Sequence, residues 1–198
     1  MRSQPSRSTR LWRAAGALAA VAALAAGAGG CAAANRARSA ITGSPARADG
    51  GLTAADGYIP DGQSVSPFDD SVPAIGKLDP ALRTAIQQAA KDAAGDGVTM
   101  VIDSGWRSKR LQKALLDQAI VTYGSEQEAR KWVNTPDKST HVSGKAVDVG
   151  PTDADSWLSQ HGNDYGLCQV YTNEMWHYEL TVAPGDTCPV QVSNASAG

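Results

Sequence analysis

The helical periods of this chain come early and most of its strand patterns come late. A regular alternation of strand and helix would lead to a doubly wound parallel sheet. Segregated elements lead instead to an α+β fold, a small and mostly antiparallel sheet with flanking helices. Asp79-Pro80 is an N-cap followed by proline at the first helical position, Leu82, Ile86, Ala89 and Ala93 recur at helical spacing, and Gly95 closes that helix. Residues 98–102 are short and β-branched, a strand that runs out at Asp103-Ser104-Gly105. A second helix starts from Ser108, with Leu111, Leu115, Ala119 and Thr122 on one face and Gly124 as its stop. Ser125 to Glu128 reads as a capping box for a third helix that ends near Val133, before Pro136. Beyond it the pattern predicts strands over 145–149, 167–171 and 175–181, with a short helix from Thr152 to Gly162 between the first and second.

The amino terminus is not part of this fold. Residues 1–13 carry Arg2, Arg7, Arg10 and Arg13 and no acid, and an Ala/Leu/Val run over 14–28 follows that is too short to span a bilayer. Residues 1–30 therefore read as a signal peptide. Its end, Ala28-Gly29-Gly30-Cys31, resembles the lipobox at which a bacterial lipoprotein is cleaved and lipid-modified, which would place the lipid on Cys31 and the protein on the outer face of the cytoplasmic membrane. Ala28 stands where leucine is usual, so a plain secretory peptide and a secreted product form the alternative. Residues 31–57 hold almost nothing large and apolar and read as a flexible tether, leaving 58–192 as the folded domain.

Loss of the four leader arginines would turn a formal net charge of −2 into about −6, which argues against nucleic acid as a partner. With Cys31 claimed by lipid or lost with the leader, Cys168 and Cys188 remain in a chain bound for an oxidising compartment. A disulfide between them uses the cysteines without remainder; two buried free thiols are the alternative reading.

The chain has three histidines, and two of them stand among other ligand-type residues. One segment runs Ser139-Thr140-His141-Val142-Ser143-Gly144-Lys145-Ala146-Val147-Asp148, the other Glu174-Met175-Trp176-His177. Two imidazoles and a carboxylate are a donor set that suits Zn²⁺, and three protein ligands leave a fourth position open for chemistry. Residues an odd number apart on an extended strand face opposite ways. His141 and Asp148 therefore converge only if the chain bends between them, which Gly144 permits. By the same rule Glu174 belongs in a loop and His177 on the strand after it. Glu174 then fits the role of general base better than that of a fourth ligand. His161, at a helix end before Gly162, reads as a solvated histidine favoured by the helix dipole.

The pattern S-x-H-x-x-G-x-A-x-D, followed some thirty residues on by E-x-W-H, resembles the VanY-type D-alanyl-D-alanine carboxypeptidases. The resemblance extends to Ser104-Gly105-Trp106-Arg107-Ser108 with Gln112 in the next turn, and so covers about residues 79–180. It implies the zinc fold that this family shares with VanX-type dipeptidases, phage L-alanyl-D-glutamate endopeptidases and the hedgehog signalling domain. It further implies His141, Asp148 and His177 as zinc ligands, Glu174 as the catalytic base and Arg107 as the substrate-facing cation, catalytic if it meets an oxyanion. Gln112, Ser139 and Trp176 become candidate substrate contacts. The family more often has proline where this chain has Met175, a departure that removes no reacting group.

The expectation is a monomeric, exported zinc peptidase that removes the terminal D-alanine from peptidoglycan stem peptides, touching membrane through its lipid alone. Because fold alone does not fix substrate, an L-alanyl-D-glutamate-type endopeptidase or a D-Ala-D-Ala dipeptidase is the alternative. A non-catalytic envelope protein with structural zinc is a third reading, against which the presence of Glu174 speaks.

Overall fold

The computed structural model describes residues 51–197; the leader, Cys31 and most of the proposed tether lie outside the described residues. The order of elements is that of an α+β fold. Helices α1 (Pro73–Gly76) and α2 (Pro80–Gly95) precede strand β1 (Val101–Ser104), and α3 (Lys109–Tyr123) and α4 (Glu126–Ala129) precede β2 (Ala146–Gly150). Helix α5 (Thr152–His161) leads to β3 (Leu167–Gln169) and β4 (His177–Leu180). The strands form one sheet in the order β1-β2-β4-β3, and each neighbouring pair is antiparallel.

Ordered structure begins earlier than composition suggests. Thr53 to Gly57, at the end of the segment read as tether, includes a 3-10 turn, Ala54–Asp56, closed by a capping box between Thr53 and Asp56. That turn is tied to the start of α3: Ser108 donates its N–H to Asp56 O at 2.8 Å and its hydroxyl to Asp56 Oδ1 at 3.0 Å. A stretch of small residues can order when its backbone groups find such partners, which composition does not reveal.

Helix α2 forms as its sequence predicts: the Asp79 carboxylate accepts from Ala81 N–H, Pro80 opens the first turn, and Leu82, Ala85, Ile86, Ala89, Ala90 and Ala93 form the buried stripe. That stripe joins Ile102, Val147, Val149, Leu167 and Tyr178 of the sheet in the main core. The predicted first strand is displaced toward its carboxyl end, to Val101–Ser104, and Val65 pairs with Ile102 at its outer edge. Helix α3 has the predicted Ser108 cap and Gly124 stop, but it buries Leu111, Gln112, Leu116 and Ala119 rather than Leu115 and Thr122. The stripe turns because Leu116 and Ala119 pack on Ala129 of α4, while Gln112 is held by Arg107 and Asn134. Helix α4 is a single turn instead of reaching Val133.

β2 is buried along its whole length, and its alternation divides the molecule. Val147 and Val149 face the apolar core, whereas Asp148 points to the other face. Asp148 lies directly opposite His177 on β4, and Val147 opposite Tyr178. Residues paired across antiparallel strands share a face, so the register that seats Tyr178 in the core also sets His177 beside Asp148. Cys168 on β3 is disulfide-bonded to Cys188, with a Cα–Cα distance of 5.7 Å, which ties the carboxyl-terminal segment to the sheet edge. None of the helices among the described residues is long and apolar enough to cross a membrane.

Candidate metal centre

His141 reaches the pair on the sheet through a tight return of the chain. Gly144 sits at φ +73°, and a Cβ there would lie 2.7 Å from Lys77 O, so glycine is required by conformation and by space alike. Its N–H donates to His141 O at 3.0 Å and its carbonyl accepts from Asp79 N–H at 2.8 Å, pinning the loop to the start of α2. Gly105 allows a second close approach: a Cβ there would collide with Ala74 O, and the Gly105 carbonyl meets His141 Nδ1 at 2.8 Å.

That contact fixes the tautomer of His141, because a proton on Nδ1 leaves the Nε2 lone pair free. His141 Nε2 lies 3.3 Å from His177 Nδ1 and 3.3 Å from Asp148 Oδ1, and the His177 Nδ1 to Asp148 Oδ1 distance is 3.2 Å. A tetrahedral zinc with ligand bonds of about 2.0–2.1 Å holds its ligands about 3.3 Å apart. The three atoms thus fit three corners of such a site. His177 is oriented from behind by Glu179, whose Oε1 lies 3.0 Å from His177 Nε2. All three candidate ligands are buried.

The electrostatics match a site built to receive a cation. Burial opposes charge on Asp148, but His141 and the Arg107 guanidinium outweigh it and hold the carboxyl well below its usual range. Burial likewise opposes charge on His177, yet its hydrogen bonds to Asp148 and Glu179 prevail and raise it to about 9. Burial lowers His141, helped by Arg107. At neutrality His177 thus carries a proton that a metal must displace.

Glu174 sits in the loop before β4, as the spacing predicts, with Oε2 3.8 Å from His177 Nδ1. Its Oε1 is buried without a hydrogen-bond partner. Desolvation, partly offset by His177, raises its pKa to about 7, where a carboxylate both takes and returns a proton near neutrality.

Arg107 lines the same cavity, but three of its N–H groups are engaged inside the protein. Nη2 donates to Asp148 Oδ2 at 2.6 Å, Nη1 to Gln112 Oε1 at 3.2 Å and Nε to Ser104 Oγ at 2.7 Å. Gln112, 1% exposed, braces the guanidinium and spans to Asn134 O with its own amide at 2.8 Å. Ser139 lines the cavity, whereas Trp176 is 37% exposed and is not among the lining residues. His161 packs against Trp157 at a tilt, with ring centroids 4.6 Å apart, and does not line this cavity.

Several residues at the site carry no mark in the sequence motifs. Tyr171 places its ring 4.8 Å from that of His177, and Asn134, Thr140 and Ala195 complete the lining. Glu179 alone had a usable signal: on a strand, residue i+2 shares the face of residue i, so His177-x-Glu179 announces a carboxylate behind the imidazole.

The family profile described as VanY, D-alanyl-D-alanine carboxypeptidase, matches residues 76–186, a span that holds every residue of the cluster. A D-alanyl-D-alanine carboxypeptidase of Enterococcus faecalis (strain ATCC 700802 / V583) is 26% identical over 127 residues, covering 52% of this chain and 47% of that protein. The chain thus spans about half the length of that curated relative. Among solved structures, a mutant of the vancomycin resistance D,D-pentapeptidase VanY from a VanB-type cassette, in complex with Zn(II), is 24% identical with a TM-score of 0.49, over 52% of this chain and 71% of that one. The LD-carboxypeptidase LdcB is 22% identical with a TM-score of 0.49, over 66% and 70%. Its sequence match across 76–186 places this chain in the VanY family of D-alanyl-D-alanine carboxypeptidases.

Proposed function

We propose that this protein is an exported zinc carboxypeptidase that removes the terminal D-alanine from peptidoglycan stem peptides. The observation that carries the reading is the triangle of His141 Nε2, Asp148 Oδ1 and His177 Nδ1, with sides of 3.2–3.3 Å and the orphaned Glu174 Oε1 in the same cavity. A zinc ion held by those three residues supplies Lewis acidity to the carbonyl under attack and to water. Glu174 takes the proton of the attacking water on Oε1 and returns it to the amine that leaves. His141 and His177 keep their ring orientation because Gly105 O and Glu179 occupy their other nitrogens. Arg107 holds Asp148 in place through Oδ2, and its remaining N–H groups serve the substrate's terminal carboxylate or the developing oxyanion.

Export rests on the amino-terminal pattern. The leader over 1–30, the lipid on Cys31 and the disulfide between Cys168 and Cys188 describe an enzyme working outside the cytoplasmic membrane, where stem peptides are found. Cys31→Ser should release the protein from the membrane fraction, and a variant that stays anchored removes the lipid from the reading.

The experiment that tests the activity is incubation with pentapeptide, tetrapeptide and free D-alanyl-D-alanine, with and without chelator, followed by mass spectrometry. Loss of one alanine from the pentapeptide, abolished by chelator, is the expected result. Cleavage of the dipeptide alone, or within the stem, would move the protein to the dipeptidase or endopeptidase class.

A further inference from the structure

The chain lays its own residues 192–195 along the edge of this cavity. Val192 pairs in parallel with Tyr171: its N–H donates to Val170 O at 3.0 Å, and its carbonyl accepts from Thr172 N–H at 2.9 Å. Beyond Val192 the chain bends and side chains take over as donors. Ser193 O accepts from the Thr172 hydroxyl at 3.2 Å, and Ala195 O accepts from Asn134 Nδ2 at 2.9 Å. Ala195 is 5% exposed and shares the cavity wall with His141, Asp148, Glu174 and His177. The free space left is about 30 Å³, room for a water or two and too little for an amino-acid residue.

A peptide is received at a strand edge through main-chain hydrogen bonds such as the two of Val192, with a pocket for a side chain. The segment thus offers the cleft what a peptide substrate would offer, successive carbonyls and an alanine. It is also weakly held. Ser193, Ser196 and Ala197 are exposed, and Asn194 closes a turn of its own, its Oδ1 accepting from Ser196 N–H at 3.0 Å. Ala195 is the one buried anchor of residues 193–197, so release costs little apolar burial.

We propose that residues 192–197 form an autoinhibitory strap that occupies the peptide-binding cleft in place of substrate, and that Asn134 Nδ2 and Thr172 are the donors that hold either one. The inference rests on the cavity being the catalytic cleft described above. A strap closed about nine-tenths of the time lowers the apparent affinity for substrate about tenfold.

The test compares the full chain with a variant lacking residues 193–198. The shortened variant should cleave pentapeptide with KM lowered about tenfold and kcat little changed. A KM that is unchanged or raised would mean that the segment is inert or is a permanent wall of the site, and overturns the proposal. Binding is read separately from activity, by calorimetric titration with the synthetic hexapeptide Ser-Asn-Ala-Ser-Ala-Gly. The shortened variant should bind it at about millimolar concentration, the range expected once a tethered segment is untethered. The full chain should not, and Asn134→Ala in the shortened variant should weaken binding about fivefold, the value of one hydrogen bond. Absence of hexapeptide binding to the shortened variant overturns the strap. Hexapeptide binding in a protein that cleaves no stem peptide would instead keep the strap and reject the proposed activity.

Discussion

Glu179→Ala is the substitution whose effect follows most directly from the geometry around the metal centre. Glu179 touches none of the proposed reacting atoms; its Oε1 holds His177 Nε2 at 3.0 Å, and its side chain is 15% exposed. Removing it does two things. The imidazole loses the partner that keeps Nδ1 aimed at Asp148 and His141, and it loses one of the hydrogen bonds that raise it to about 9. Loss of a carboxylate behind a ligating histidine typically costs 10–100-fold in metal affinity, or about 1.4–2.7 kcal/mol. The pH dependence has a definite sign. A histidine raised from about 6.5 to about 9 keeps its proton at neutrality, so metal binding must release it and apparent affinity climbs as pH rises toward 9. With Glu179 gone the residue gives up its proton more readily, and the climb should level off at lower pH. Competition against a chelator of known zinc affinity, at several pH values, measures both effects. Equal affinity in wild type and Glu179→Ala across that range would refute the orienting role.

Other substitutions separate the remaining parts of the site. Glu174→Gln should retain zinc and lose at least ~10²-fold in turnover, the usual contribution of a general base; unchanged turnover in a steady-state assay would move the base elsewhere. For Arg107, pentapeptide amidated at its carboxyl terminus should be cut far more slowly than the free acid by the wild type, and Arg107→Ala should largely erase that difference. Equal slowing of both substrates would assign Arg107 to the oxyanion or to the support of Asp148. In metal-free protein the raised His177 contributes stability that is complete below about 6.5 and lost as pH rises through about 9. Thermal melts of the metal-free form should therefore fall over that interval, and a flat profile would contradict the assignment. Cys168→Ser with Cys188→Ser should cost about 3 kcal/mol in denaturant melts, the loop-closure value for a bridge of this span; unchanged stability would mean that the bridge does not constrain the unfolded chain.

The cluster of His141, Asp148 and His177 with Glu174 beside it was legible because its chemistry is written in residue type and spacing. The turn at Gly144 and the loop position of Glu174 followed from the two-residue period of a strand alone. Helix α2 was legible for a similar reason, since Asp79, Pro80 and the apolar stripe point the same way. Local rules could not see what depends on distant partners. Gln112 is buried because Arg107 and Asn134 O require an amide between them, a demand absent from the periodicity of α3. Asp56 joins the fold because Ser108, far along the chain, binds it twice. Ala195 has no chemistry of its own; the pairing of Val192 with Tyr171 and the Cys168–Cys188 bridge bring it to the cavity. Trp176, selected from its place in the motif, contributes its backbone: its carbonyl accepts from Val149 N–H at 3.0 Å, while its side chain is partly exposed.

The zinc content of purified protein, compared with that of Asp148→Ala, tests the central claim most directly. Asp148 is where the ligand set, the Arg107 brace and the β2–β4 register meet. The geometry predicts about one zinc per chain in the wild type, the number a three-ligand catalytic site holds, and next to none in the variant after dialysis against a weak chelator. A full equivalent of zinc retained by Asp148→Ala would contradict the assignment of the metal to this triangle.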